Sequence, residues 1–197
     1  MKKVALLLLI FPLLQLACDN GQECPQVNRF FNITGLGVKA NSYELQNGSY
    51  INRNLNDLDS ANFHDFYLTG TLKAEYYGVI PKPGLTIFPR AFARDVEPCP
   101  SAGYKGSEEI LAGFYMISLG KYNADFLPGD TLTNAILINS LPVSNYLIEN
   151  SQQINFQEFT VKLKEKPDPK EYQSFKVIYK LKNGETYEVT TPRFKLY

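Results

Sequence analysis

The sequence predicts an all-β protein, namely an immunoglobulin-like antiparallel β-sandwich of about seven strands with one or two short helical turns. Three observations support this prediction. Tyrosine and phenylalanine each occur thirteen times, tryptophan is absent, and such a composition favours strands over helices. Several segments alternate between apolar and polar residues with a period of two. Turn-forming pairs that contain glycine, proline or asparagine separate these segments.

The first eighteen residues have the features of a secretory signal peptide. Lys2 and Lys3 precede an apolar run over residues 4–17, which contains a single polar member. The run ends at Ala17-Cys18, which resembles the cleavage site of bacterial lipoproteins. In such proteins the cysteine is lipidated on its sulfur and becomes the new N-terminus. The resemblance therefore implies that Cys18 is lipidated.

The leader also sets the expected domain organisation and location. We expect residues 1–18 to be the lipoprotein signal, residues 19–27 a tether, and residues 28–197 one β-sandwich domain. Twenty basic and twenty acidic residues cancel, so loss of the two leader lysines leaves the mature chain about two charges acidic. Nucleic acid is therefore a poor candidate partner. The predicted location is the cell envelope at the outer membrane, with the lipid on Cys18 as the membrane contact.

The first half of the chain contains two strong strand patterns. Over residues 28–40 the apolar residues alternate in two registers that change at Gly35, which predicts a β-bulge. Residues 41–61 are rich in Asn, Asp and Ser and are predicted to be mostly loop, with one edge strand near residue 50. Residues 63–80 alternate strictly, which predicts one buried face and one solvated face, and a strand over residues 85–92 is expected to pair with them.

The second half begins with short elements and ends in a hairpin. Asp130 is predicted to cap a short helix that runs through residue 138, because an aspartate side chain accepts from the free amides of a first turn. Residues 154–163 form the next predicted strand. Residues 175–191 then alternate on both sides of Asn183-Gly184, a pair that favours the positive φ angles of a tight hairpin turn.

Several segments of this half together resemble a known group of proteins. The segments are residues 159–164, Lys166-Pro167, residues 175–181, Asn183-Gly184 and Thr190-Thr191-Pro192, taken with the leader and the loop at residues 123–130. They are similar to a family of uncharacterised lipoproteins from the envelope of Gram-negative gut bacteria. The resemblance implies a β-sandwich on a lipid anchor and implies no known activity.

The cysteines point to one disulfide. If Cys18 carries lipid, Cys24 and Cys99 remain in a chain that has left the cytoplasm, where an even number of cysteines usually pairs. Both stand next to prolines in turn-rich segments, where a bond would not disturb a sheet. The sequence predicts a Cys24–Cys99 disulfide that holds the tether against the domain. Two unpaired thiols are the alternative.

No pattern in the sequence points to catalysis, so we predict a protein that is not an enzyme. His64 is the only histidine, no G-x-S-x-G pattern or C-x-x-C pair occurs, and His64 is interpreted as a strand-edge residue. In residues 54–59, side chains that could offer an oxygen ligand recur as they do in calcium-binding loops. The segment lacks the glycine and the distal glutamate of an EF-hand loop. We therefore assign no catalytic, cofactor-binding or metal-binding residue and expect no cofactor.

The leading hypothesis is a lipid-anchored envelope lipoprotein that serves as a binding or surface-architecture module for an unknown ligand. The alternative is a glycan-binding accessory protein of a polysaccharide-uptake system, in which tyrosines form a platform for sugar rings. The tyrosines considered are Tyr76, Tyr77, Tyr104, Tyr115 and Tyr122. Ser60 and Thr131 lie in triplets that resemble the acceptor of an O-glycosylation system of envelope bacteria, and the sequence leaves their modification open.

Overall fold

The structure is a computed structural model that describes residues 27–79 and 99–197. These residues form strands β1 (Asn28–Gln46), β2 (Ser49–Asn54), β3 (Asp59–Ala61), β4 (Phe66–Val79), β5 (Leu111–Ser118), β6 (Ile136–Ile138), β7 (Leu141–Pro142), β8 (Glu158–Leu163), β9 (Phe175–Leu181), β10 (Thr186–Thr190) and β11 (Phe194–Leu196). The helical elements are α1 (Val143–Glu149) and single 3-10 turns at Phe63–Asp65 and Thr133–Ala135. The predicted strand over residues 85–92 lies outside the described residues.

The predicted all-β sandwich is confirmed. One sheet has six antiparallel strands in the order β2-β1-β4-β8-β6-β7, and a second has three in the order β10-β9-β5. A parallel pair of β11 and β3 lies beside them. Within the described residues, seven strands have five or more residues, in agreement with the predicted number, and the other four have only two or three.

The two sheets meet in an aromatic core. Phe159 of β8 stacks on Tyr179 of β9 with 5.9 Å between ring centroids, and it meets Phe114 of β5 edge-on at 5.5 Å. At one end of the sandwich, Phe194 of β11 packs on Phe66 of β4 and on Phe175 of β9. All these rings are buried, so removal of their apolar surface from water is the main force that holds the sheets together.

The predicted bulge at Gly35 is confirmed, and it links the two sheets. The register between β1 and β4 shifts between Ile33 and Gly35. The backbone N–H of Ile33 donates to the Glu109 carboxylate at 2.7 Å, and its carbonyl accepts from the Tyr187 hydroxyl at 2.7 Å. Because a bulge disturbs the ladder, it frees backbone groups for partners outside the sheet. Here the partners come from β10 and from the segment before β5.

The prediction that residues 41–61 are mostly loop was wrong. Strand β1 continues to Gln46, and a two-residue turn at Asn47-Gly48, with φ angles of 51° and 78°, leads into β2. The predicted edge strand near residue 50 is confirmed as β2, which lies at the edge of the large sheet. The sequence of this segment suggested a loop because an edge strand with a solvated face tolerates many polar residues.

The predicted helix after Asp130 was also wrong. Residues 133–135 form one 3-10 turn, and β6 follows at once. The Asp130 carboxylate accepts from the backbone N–H of Leu127 at 2.6 Å, three residues before it, so it closes the preceding turn and caps no helix. The α-helix forms later, as α1, directly after Pro142. Among the described residues, the helices are too short and too polar to span a bilayer.

Candidate functional site

Only one of the three cysteines, Cys99, lies within the described residues. Cys18 and Cys24 lie outside the described residues, so the lipid anchor and the disulfide stay predictions. Cys99 is half-buried and is engaged by a partner. Four residues after Cys99, the N–H of Gly103 donates to the carbonyl of Asn28 at 2.8 Å. The described chain around residue 99 therefore lies next to the beginning of β1.

His64 lies in the 3-10 turn that precedes β4 and is exposed. Its backbone N–H donates to the side chain of Asn62 at 2.9 Å, and its ring meets Phe63 edge-on at 5.3 Å. These contacts fix a turn at the beginning of a strand, which is the structural role that the sequence suggested.

The acidic side chains of the candidate calcium loop are bound by the protein itself. Arg193 donates to the Asp57 carboxylate through Nη2 at 2.8 Å and Nε at 3.2 Å, and these hydrogen bonds hold the pKa of Asp57 below its usual value. Asp59 accepts from the backbone N–H of Asn56 at 2.8 Å. The described part of the chain contains no group of three His, Cys, Asp or Glu side chains that could hold a metal ion.

The five tyrosines considered for a sugar platform do not form a single cluster. Tyr122 is fully buried, and its hydroxyl donates to the carbonyl of Glu165. Tyr115 is on β5 in the small sheet, whereas Tyr76 and Tyr77 are on β4 in the large sheet. Ser60 and Thr131, the residues of the two glycosylation-like triplets, are both exposed, and their modification stays a hypothesis.

Other aromatic residues gather on the outer face of the large sheet. Tyr43 stacks on Tyr67 with 4.8 Å between ring centroids, and Leu45 lies opposite Tyr50 in the β1–β2 register. Tyr43, Leu45 and Tyr50 are 45%, 65% and 73% exposed. Burial, with a smaller contribution from the Tyr43 hydroxyl, raises the pKa of Tyr67 to about 12. We call the exposed Tyr43, Leu45 and Tyr50, together with the buried Tyr67 on which Tyr43 stacks, the distal patch.

The name refers to where this patch lies along β1. Fifteen residue steps separate Asn28 from Tyr43, which corresponds to about 50 Å of strand. The patch is therefore at the opposite end of β1 from the point where the chain enters the sandwich. A groove of about 320 Å³ borders the patch, with Glu44, Asn62 and Asp65 among its polar lining residues.

A second concave surface lies between the end of α1 and the beginning of β8, and we call it the α1–β8 pocket. Its volume is about 100 Å³. Its lining residues are two glutamates, three asparagines and two aromatic residues, namely Glu149, Glu158, Asn139, Asn150, Asn155, Tyr146 and Phe156. It thus combines residues that can form hydrogen bonds with aromatic residues, in a volume below the roughly 300–1,000 Å³ of pockets that enclose a whole drug-sized ligand.

Sequence reasoning missed both surfaces. Alternation of Tyr43 and Leu45 before Asn47-Gly48, with Tyr50 after it, is a two-residue hairpin signal that could have revealed the distal patch. The α1–β8 pocket has no comparable signal, because its side chains come from three separate segments. Comparison with known proteins finds no matching family model, no matching curated protein and no matching solved structure.

Proposed function

We propose that this protein is a lipid-anchored lipoprotein of the cell envelope, at the outer membrane, and that its sandwich is a non-enzymatic binding module. The Lys2-Lys3 start, the apolar run and Ala17-Cys18 support the anchor, as does the resemblance to envelope lipoproteins. The observation that carries the binding role is the exposed distal patch at the far end of β1 from Asn28. A cluster of exposed aromatic and aliphatic side chains is typical of an interaction site.

The geometry suits presentation of the patch away from a membrane. Ten residue steps lead from Cys18 to Asn28, so the chain between them reaches at most about 35 Å. Strand β1 then adds about 50 Å to the patch along its length. A partner at the distal patch would thus bind without contact with the lipid surface. The proposal assigns no reaction to the protein and requires no cofactor.

The test is site-specific photo-crosslinking in intact cells, with the crosslinking residue placed at Tyr50. The matched control places it at Tyr115, which is 43% exposed but lies on the small sheet. We expect a discrete adduct from Tyr50 and none from Tyr115, and Cys18→Ser should release the protein from the membrane fraction. Equal adducts at both positions, or membrane retention of the Cys18→Ser variant, would contradict the proposal.

The alternative, a glycan-binding accessory protein of a polysaccharide-uptake system, is favoured by a different observation. The α1–β8 pocket pairs amides and carboxylates with aromatic rings, and these are the groups that hydrogen-bond sugar hydroxyls and cover the apolar face of a sugar ring. Under this alternative the partner is a glycan, and the anchor holds the pocket at the cell surface.

A further inference from the structure

The rim of the α1–β8 pocket is an apolar ring held in water by a fixed loop. Phe156 is 75% exposed. Two residues before it, Ile154 is fully buried and pairs with Ser107 through backbone bonds of 2.8 Å and 3.3 Å. One residue after it, the carbonyl of Gln157 accepts from the N–H of Leu72 at 2.7 Å. Because the chain is fixed on both sides of Phe156, the exposure of this ring is built into the fold.

A glycine keeps this loop close to the rest of the sandwich. Gly106 has a φ of 81°, and a Cβ at this position would lie 2.7 Å from the carbonyl oxygen of Ile154. The segment before β5 therefore packs directly against the backbone of the loop. Such an approach leaves no room for a side chain at residue 106.

The buried side of the pocket is an uncharged aromatic ring. Tyr146 of α1 is 5% exposed, and its ring packs against Phe114 and Phe159 of the core. Burial raises the pKa of Tyr146 to about 12, so its phenol stays protonated at neutral pH. Phe156 at the rim and Tyr146 within thus give the pocket two aromatic surfaces.

Two of the amides are already oriented by the fold. Asn139 lies in a turn with Ser140, both at positive φ, and its Oδ1 accepts from the N–H of Thr160 at 2.8 Å. This bond leaves its Nδ2 as a donor. Asn150 donates from Nδ2 to the carbonyl of Tyr146 at 2.8 Å, which leaves its Oδ1 as an acceptor. Each of these two lining residues is therefore held by one hydrogen bond and keeps one amide group free, a donor on Asn139 and an acceptor on Asn150.

The two carboxylates have no competing partner. Within residues 27–79 and 99–197, Glu149 and Glu158 make no hydrogen bond and no ion pair with another side chain. A carboxylate can accept from two neighbouring hydroxyls at once, and hydrogen bonds to a charged acceptor are stronger than those between neutral groups. Two negative charges in one small pocket also repel an anionic ligand.

We propose that the α1–β8 pocket is a saccharide-binding site, and that it takes a neutral or amino sugar unit of a glycan and rejects an acidic one. A pyranose ring offers an apolar C–H face and a rim of hydroxyls that both donate and accept. Phe156 covers the apolar face, Glu149 and Glu158 accept from hydroxyls, and the two oriented amides supply one bond of each kind. The proposal rests on the glycan-binding alternative and not on the distal patch.

The test uses the full-length protein in detergent and a panel of cellohexaose, xylohexaose, mannohexaose, chitohexaose and hexagalacturonate, titrated by calorimetry. We expect binding of at least one neutral or amino hexasaccharide and none of hexagalacturonate. Phe156→Ala and Glu158→Gln should each raise the Kd by about tenfold or more, because each removes one kind of contact. Tyr50→Ala, in the distal patch, is the control and should leave the Kd unchanged.

Phe156 and Glu158 are exposed, so their variants should keep the thermal unfolding midpoint of the parent protein. Absence of binding to every neutral and amino hexasaccharide would overturn the proposal. An unchanged Kd in Phe156→Ala would also overturn it, and so would tighter binding of hexagalacturonate than of the neutral sugars. None of these outcomes affects the crosslinking result at Tyr50. The saccharide-binding proposal can therefore fail without any consequence for the proposed binding role of the distal patch.

Discussion

Two buried tyrosines of the core differ in what their hydroxyls contact. The Tyr122 hydroxyl donates to the carbonyl of Glu165. The Tyr179 hydroxyl has no regular hydrogen-bond partner within the described chain, although the hydroxyl of Tyr146 lies close enough to interact with it. Burial raises the pKa of both phenols, so both are uncharged at neutral pH. Replacement of each residue therefore measures a different effect on stability, namely the loss of a buried hydroxyl that has a hydrogen-bond partner and the loss of one that has no regular partner in the described chain.

We expect opposite results when each of these tyrosines is replaced by phenylalanine. Tyr122→Phe should lower the free energy of unfolding by about 1 kcal/mol, because it removes the hydrogen bond from the tyrosine hydroxyl to the Glu165 carbonyl. Tyr179→Phe should be neutral or stabilising by up to about 1 kcal/mol, because it removes a hydroxyl that is buried without a good partner. Urea unfolding measures both. An equal loss in the two variants would contradict this interpretation of the core.

Tyrosine was also the residue type that the sequence described least well. Its ring suits a core and its hydroxyl suits a surface, so composition alone does not say which part dominates at a given position. Tyr122 was considered for a sugar platform and is fully buried, whereas Tyr43 stood in a predicted loop and is exposed on a sheet. Tyr122 lies in the loop after β5 and is buried in the core, whereas Tyr43 lies on the outer face of β1, and both placements depend on the whole fold.

Close packing between β4 and β8 depends on the absence of a side chain at Gly70. A Cβ at this position would lie 2.1 Å from the ring of Phe159, which is itself buried between the two sheets. The ring cannot move away without disturbing its contacts with Phe114 and Tyr179. This glycine is therefore required by the core, and its φ angle plays no part in the requirement.

We expect Gly70→Ala to lower the free energy of unfolding by about 3 kcal/mol, because an inserted methyl group overpacks the core. Gly37→Ala on β1 is the matched control. There, the nearest atom to a new Cβ is the carbonyl oxygen of Thr71 at 3.6 Å, an ordinary contact, so we expect little change. Chemical denaturation of the two variants provides the measurement. A mild effect of Gly70→Ala would show that the ring of Phe159 has room to shift.

The two Asn-Gly pairs in the described part of the chain, Asn47-Gly48 and Asn183-Gly184, show how far local sequence determines a hairpin. Both turns lie where these pairs occur, but only Asn47-Gly48 forms a two-residue loop with two positive φ angles. At Asn183-Gly184 only the glycine has a positive φ, and the N–H of Leu181 donates to the carbonyl of Glu185 at 2.8 Å, so that three residues lie between the two. Leu181, the last residue of β9, is buried in the core. Local sequence thus places a turn, while core packing sets its length.

At the scale of the whole molecule, the sandwich could be predicted from the sequence and the α1–β8 pocket could not. Period-two alternation over residues 63–80 and 175–191 requires one buried face per strand, and two such sheets must cover each other. The α1–β8 pocket instead combines residues 139, 146–150 and 155–158, which only the fold brings together. No local pattern connects these three segments. For the same reason, sequence alone offers no ligand for them.

The fold also brings the described neighbours of the predicted disulfide together. Cys24 precedes Asn28 by four residues, and Cys99 precedes Gly103 by four. Asn28 and Gly103 share a backbone hydrogen bond of 2.8 Å, and the N–H of Lys105 donates to the carbonyl of Arg29 at the same distance. Four residues of extended chain span at most about 14 Å, so the chain length allows the two cysteines to reach each other. This arrangement supports the proposal that Cys24 and Cys99 are bonded.

We therefore expect no reactive thiol in the mature, lipidated protein when it is denatured without reductant, and two after reduction. The bond would close a loop of about 75 residues, which stabilises a fold by roughly 4 kcal/mol through the entropy of the unfolded chain. Cys24→Ser, Cys99→Ser and the double variant should lose the same stability, because each removes the same bond. Two thiols that react before reduction, or additive losses in the double variant, would exclude the bond. The bond would tie the nine-residue tether to the beginning of β1 and so limit how far the distal patch can move on its lipid anchor.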